Sequence, residues 1–151
     1  MSKSRRAIIA HHEAGHAVID HQLGYKVRRI EINDKRGRTD IKLRKRRRRL
    51  SEDERAMRFE RAMLADLAGP YAQKRFAPGS DWRIDEITSR IYAMHGEGEV
   101  AKAYRRYIEI RAEALVEQHW QKIAAVAAYL FKHGVFTGDI RTLFPQPRRS
   151  I

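Results

Sequence analysis

Five consecutive residues, His12-Glu13-Ala14-Gly15-His16, constrain this chain more than any others in it. On a helix, residues four apart share a face one turn apart. Two imidazoles so placed can bind one Zn²⁺ through bonds of about 2.0–2.1 Å. Glu13, one position on, leans beside such a metal rather than onto it. There it can take a proton from a water molecule, as the general base of a zinc hydrolase does. Ile8, Ile9, Ala14, Ala17, Val18 and Ile19 surround the motif, which implies a buried helix. Gly15 is a weak helix former, and its expected use is close approach of another backbone or a substrate. His11 points away from the His12/His16 face, and nothing marks His21. Both read as satisfied or solvated histidines rather than ligands.

A catalytic zinc site uses three protein ligands and leaves a position for water. The chain has no cysteine, so the third ligand must be histidine or carboxylate. The candidates downstream are Asp81, Asp85, Glu86, His95 and His119. Asp81 lies at a loop-to-helix junction, where it could equally be a plain helix cap.

At 151 residues the chain reads as one domain, 1–151. The basic start, Met1 to Arg6, is followed by an apolar run broken at once by His11, His12 and Glu13. This does not read as a signal peptide. No stretch approaches the roughly 18 apolar residues of a membrane span, so a cytoplasmic protein without a transmembrane segment is expected.

The net charge is +13, and most of it is local: between Lys26 and Arg49 stand thirteen basic residues and three acids. Residues 42–50 read as a basic loop and 145–151 as a basic tail. The run Lys42–Arg49 is a candidate contact for a nucleic acid or an acidic partner, though without interleaved aromatics for base stacking.

In order along the chain, a first helix is expected over about 4–23, stopped by Gly24. Residues 27–32 and 39–44 read as strands joined by a turn over 33–38, a hairpin. Ser51-Glu52-Asp53-Glu54 is a capping box that opens a second helix. Gly69-Pro70 is expected to interrupt it, with a short helical piece over 71–76. A helix opening at Ser80 or Asp81 carries Ile84, Ile87, Ile91 and Met94 on its inner face. One long helix is expected over about 99–132, ended by Gly134, then a short helix over 138–144 capped by Thr137. The sum is a mostly α fold with a small β-hairpin after the first helix.

The stretch Ile9 to Val18 resembles the motif helix of the FtsH family of ATP-dependent zinc proteases. Leu67-Ala68-Gly69-Pro70-Tyr71-Ala72 is similar to that family's LxGRxAE segment, without its Arg and Glu. Pro78-Gly79-Ser80-Asp81 is similar to the family's GASxxD stretch, and Phe136-Thr137-Gly138-Asp139-Ile140 to its C-terminal LxGxEI ending. The resemblance spans nearly the whole chain. It implies an α-helical zincin-type peptidase domain standing without the AAA+ ATPase module. It implies Zn²⁺ held by His12, His16 and Asp81, with Asp85 as the alternative third ligand because the spacing before Asp81 differs. It also implies Glu13 as catalytic base, a polypeptide substrate, an ATPase or unfoldase acting in trans, and a homo-oligomer.

Overall fold

In the computed structural model, which describes residues 2–43 and 48–150, Ser4 begins the first element. Its side chain accepts a hydrogen bond from the Ala7 N–H and caps α1 (Arg5–Gln22). Next come β1 (Lys26–Ile32), β2 (Gly37–Lys42), α2 (Glu52–Phe76), α3 (Asp85–His95), α4 (Glu99–Gln118), α5 (Trp120–His133) and β3 (Val135–Thr137). A 3₁₀ turn, Ile140–Leu143, follows. The fold is mostly helical, with one small antiparallel sheet in the order β2-β1-β3.

The core forms around α1. Ala10, Ala14, Ala17, Val18 and Ile19 are fully buried. One side of α1 packs on α2, another on α5, and the hairpin lies along it. Small residues set the α1–α2 crossing. A Cβ added at Gly15 would come within 2.5 Å of the Ala72 Cβ and 2.7 Å of the Ala68 carbonyl, so only glycine lets these backbones approach so closely.

The hairpin forms, but β2 starts at Gly37, inside the expected turn, and ends at Lys42. A bulge between Val27 and Arg29 turns both Arg28 and Arg29 outward while Val27, Ile30 and Ile32 stay buried. Ser51 caps α2 as expected, accepting from the Glu54 N–H at 3.2 Å, but the box is not closed: the Glu54 carboxylate takes two hydrogen bonds of 3.0 and 2.9 Å from Arg48 instead. The rest of the expected basic loop, 44–47, lies outside the described residues. Among the described residues no helix is long and apolar enough to cross a membrane.

The structure corrects the sequence reading in five further places. First, α2 runs unbroken through Gly69-Pro70. An interior proline costs about 3 kcal/mol, but each fully buried large side chain of Met63, Leu64 and Leu67 returns about 1.5–3 kcal/mol. Second, the long C-terminal helix is two helices that meet at His119. α4 packs mainly on α2 and α5 on α1, and one straight rod cannot lie along both. Third, Val135–Thr137 is a strand, pairing with β1 at Arg29, Ile30 and Glu31. Fourth, the last turn is capped by Asp139, which accepts from the Arg141 N–H at 3.0 Å, rather than by Thr137. Fifth, α3 opens at Asp85; residues 81–84 belong to the preceding loop, and Met94 is exposed.

Candidate active site

Along α1 the five-residue motif faces α2 and β2. The His12 and His16 rings meet with their Nε2 atoms 3.2 Å apart. Each ring is held from behind by α2. The Nδ1 of His12 is 2.8 Å from Gln73 Oε1, and the Nδ1 of His16 is 2.9 Å from the Ala65 carbonyl oxygen.

These partners fix the tautomers. The Ala65 carbonyl can only accept, so His16 Nδ1 donates. The Gln73 amide nitrogen donates to the Asp81 carbonyl at 3.1 Å and to Ser80 Oγ at 3.0 Å. The Ser80 hydroxyl in turn donates to the Ala77 carbonyl at 2.7 Å. The amide oxygen of Gln73 therefore faces His12, and His12 Nδ1 also donates. Both Nε2 atoms then carry bare lone pairs aimed into one gap.

Two bare lone pairs at that distance repel unless a proton or cation lies between them. Burial lowers the pKa of both histidines, which keeps them neutral, the form that binds metal. Two Zn–N bonds of 2.0–2.1 Å at a tetrahedral angle require nitrogens about 3.3–3.4 Å apart. The observed separation and donor type fit a zinc ion. Gly69 makes the arrangement possible, because a Cβ there would overlap the His16 ring.

Glu13 is buried beside the pair. Burial raises its pKa, while a hydrogen bond from Thr39 and the nearby His12 act against the rise. The Thr39 hydroxyl lies 2.7 Å from Glu13 Oε2. β2 comes this close because residue 37 is glycine; a Cβ there would sit 2.5 Å from the Glu13 Cγ.

The carboxylates expected to complete the site are placed differently. The Asp81 side chain is 80% exposed and pairs with Arg83 at 3.4 Å. It borders the same cavity as His12 and Glu13 but does not enter the gap between the imidazoles. Asp85 opens α3, and its side chain lies outside the described part of the structure. Among the described residues no three His, Asp or Glu side chains converge on one metal position.

His11 is satisfied, as its placement predicts: it stacks on Phe76 at 3.5 Å, and its Nδ1 donates to the Ala7 carbonyl at 2.7 Å. His21 meets the Phe144 ring edge-on. His95 packs on Tyr104, 4.5 Å between ring centroids, and His119 stands at the junction of α4 and α5 with no side-chain capping bond.

Gln73, Thr39, Gly69 and Gly37 all escape the sequence reading. Only Gln73 carries a signal, as a lone amide within the buried run Leu67–Gln73 of α2.

Compared with known proteins, the chain matches no family model and no curated sequence.

Proposed function

We propose that this chain is a zincin-type zinc metallopeptidase that hydrolyses flexible or unfolded polypeptides. The observation that carries the reading is the pair of Nε2 lone pairs 3.2 Å apart, each locked by its other nitrogen. Two facing lone pairs are costly to keep without a proton or cation between them. The order of segments resembling the FtsH family supports the same reading.

His12 and His16 hold the metal, and a carboxylate from the 81–85 junction completes the set. Asp81 would take that place, with Asp85 its rival. The ion supplies Lewis acidity, which acidifies a water molecule and polarises the scissile carbonyl. Glu13 accepts the water proton and passes it to the leaving amine. Its raised pKa suits a base working nearer neutrality, and Thr39 fixes one carboxylate oxygen so the other faces the cleft. β2 is an edge strand bordering the cleft, so an extended substrate can add to it through main-chain hydrogen bonds. Substrates are flexible segments, or segments delivered by an ATPase acting in trans.

The test is zinc content and cleavage of an unstructured polypeptide by parent, Glu13→Gln and Asp81→Ala proteins. Glu13→Gln should keep its zinc and lose about 10²–10⁴-fold in rate. Asp81→Ala should lose zinc. A parent that binds no zinc, or a Glu13→Gln variant as active as the parent, overturns the proposal. Full zinc in Asp81→Ala passes the third position to Asp85.

A further inference from the structure

We propose that the cavity beyond His16, floored by Asp20, is a substrate subsite that takes a lysine or arginine side chain next to the scissile bond. The inference rests on the peptidase reading above and adds a specificity to it.

Two cavities open along α1, and Glu13 borders both. The first, about 490 Å³, contains His12, Gly37, Gln73 and Asp81. The second, about 590 Å³, contains His16, Asp20, Thr39 and Ile41. β2 passes both, with Gly37 beside the first and Thr39 and Ile41 beside the second. An extended chain added to the edge of β2 therefore presents side chains to the two cavities from either side of Glu13. Added antiparallel, as β1 and β2 pair, it runs from the Ile41 end to the Gly37 end. The residue in the Asp20 cavity then lies on the N-terminal, acyl side of the scissile bond.

Asp20 sits on α1 one turn past His16 and is only 7% exposed. Among the described residues no hydrogen-bond donor reaches its carboxyl group. Burial pushes its pKa up to about 7, and the Asp66 and Glu13 carboxylates add to the rise. A mostly buried carboxylate that opens onto a cavity gains free energy from an incoming cation.

Two other acid–base pairs at the cavity are made within the fold. Asp66 pairs with Arg90, and Arg38 pairs with Asp40 at 2.6 Å. Arg58 is exposed on α2. Asp20, unlike Asp66 and Glu13, has no side-chain partner among the described residues. The walls at Ile41, Ala62 and Ala65 suit the aliphatic stem of a long side chain whose charged head reaches the floor.

The experiment uses peptide pairs differing only in lysine or uncharged norleucine at the acyl-side position, with zinc-loaded parent and Asp20→Asn proteins. Cleavage is read as kcat/KM. Calorimetric binding of product peptides ending in lysine or norleucine reads the subsite without any turnover. The parent should favour lysine by about tenfold in both. Asp20→Asn should reduce the preference to within about twofold. No lysine preference in the parent, or a preference that survives Asp20→Asn, overturns the subsite. Peptide cleavage without lysine preference sinks the subsite and leaves the peptidase standing. Lysine-selective binding without cleavage of any peptide does the reverse.

Discussion

His16 and Asp20 stand one turn apart on α1, and each buries an ionisable group in a different way. His16 is held from behind by the Ala65 carbonyl, and the Gly69 backbone is laid against its ring. Asp20 has no such partner among the described residues, and its carboxyl faces a cavity. Where α2 supplies partners, burial produces a fixed donor with one free lone pair, ready for a ligand before it arrives. Where no partner is supplied, burial produces a group whose charged form is penalised until something enters. One helix thus carries two kinds of polar station, one organised by the fold and one left for an occupant to complete.

Gly69→Ala strikes the organised station hardest. The added methyl must push the His16 ring aside. Zinc affinity should fall at least about 100-fold, and stability by about 1–3 kcal/mol through overpacking. A chelator-competition titration and urea midpoints give the two values. Unchanged zinc affinity would mean that His16 binds from some other ring position, and the contrast with Asp20 would lose its basis.

Gln73→Leu is milder and sharpens the same point. It removes the acceptor of His12 and the two donors that hold Ser80 and the Asp81 carbonyl, while keeping the volume. Loss of such an outer partner should lower zinc affinity about 10–100-fold. Gln73→Glu keeps an acceptor for His12 and should recover most of the loss in the same titration. Equal losses in both variants would place the effect in the 80–81 loop instead of the imidazole.

What was legible in the sequence follows the range of the forces involved. The Ser4 cap, the Ser51 cap and the presence of a hairpin after α1 are local, and each follows from its spacing. The pairing of His12 with His16 is likewise a matter of one helical turn. Pro70 misled because its cost is local while the burial that outweighs it comes from α1. The break at His119 has no proline or glycine to announce it; it arises because α4 and α5 lean on different helices. β3 has three residues and exists only through its pairing with β1. The site divides the same way. Thr39 lies 26 residues from Glu13, and Gln73 lies 61 from His12. Neither belongs to a spacing rule, because each is brought in by the packing of α1 against the hairpin and α2.

The smallest expected effect concerns Asp20, and its sign separates the two stations. Burial raises its carboxyl from 3.8 to about 7, so the folded state holds this proton more tightly than the unfolded state does. At pH 4 and below the difference contributes its full stability. Between pH 4 and 7 the unfolded chain ionises first, and stability falls as pH rises. Above pH 7 the folded protein carries the whole penalty of a charge buried beside Asp66 and Glu13. Asp20→Asn cannot ionise, so in zinc-stripped protein it should match the parent near pH 4 and exceed it by about 2 kcal/mol at pH 8. Urea midpoints at the two pH values check this. A variant less stable than the parent at pH 8 would show that Asp20 has a structural partner of its own. It would then belong with His16, as a group the fold itself satisfies, and the cavity would lose its reason to attract a cation.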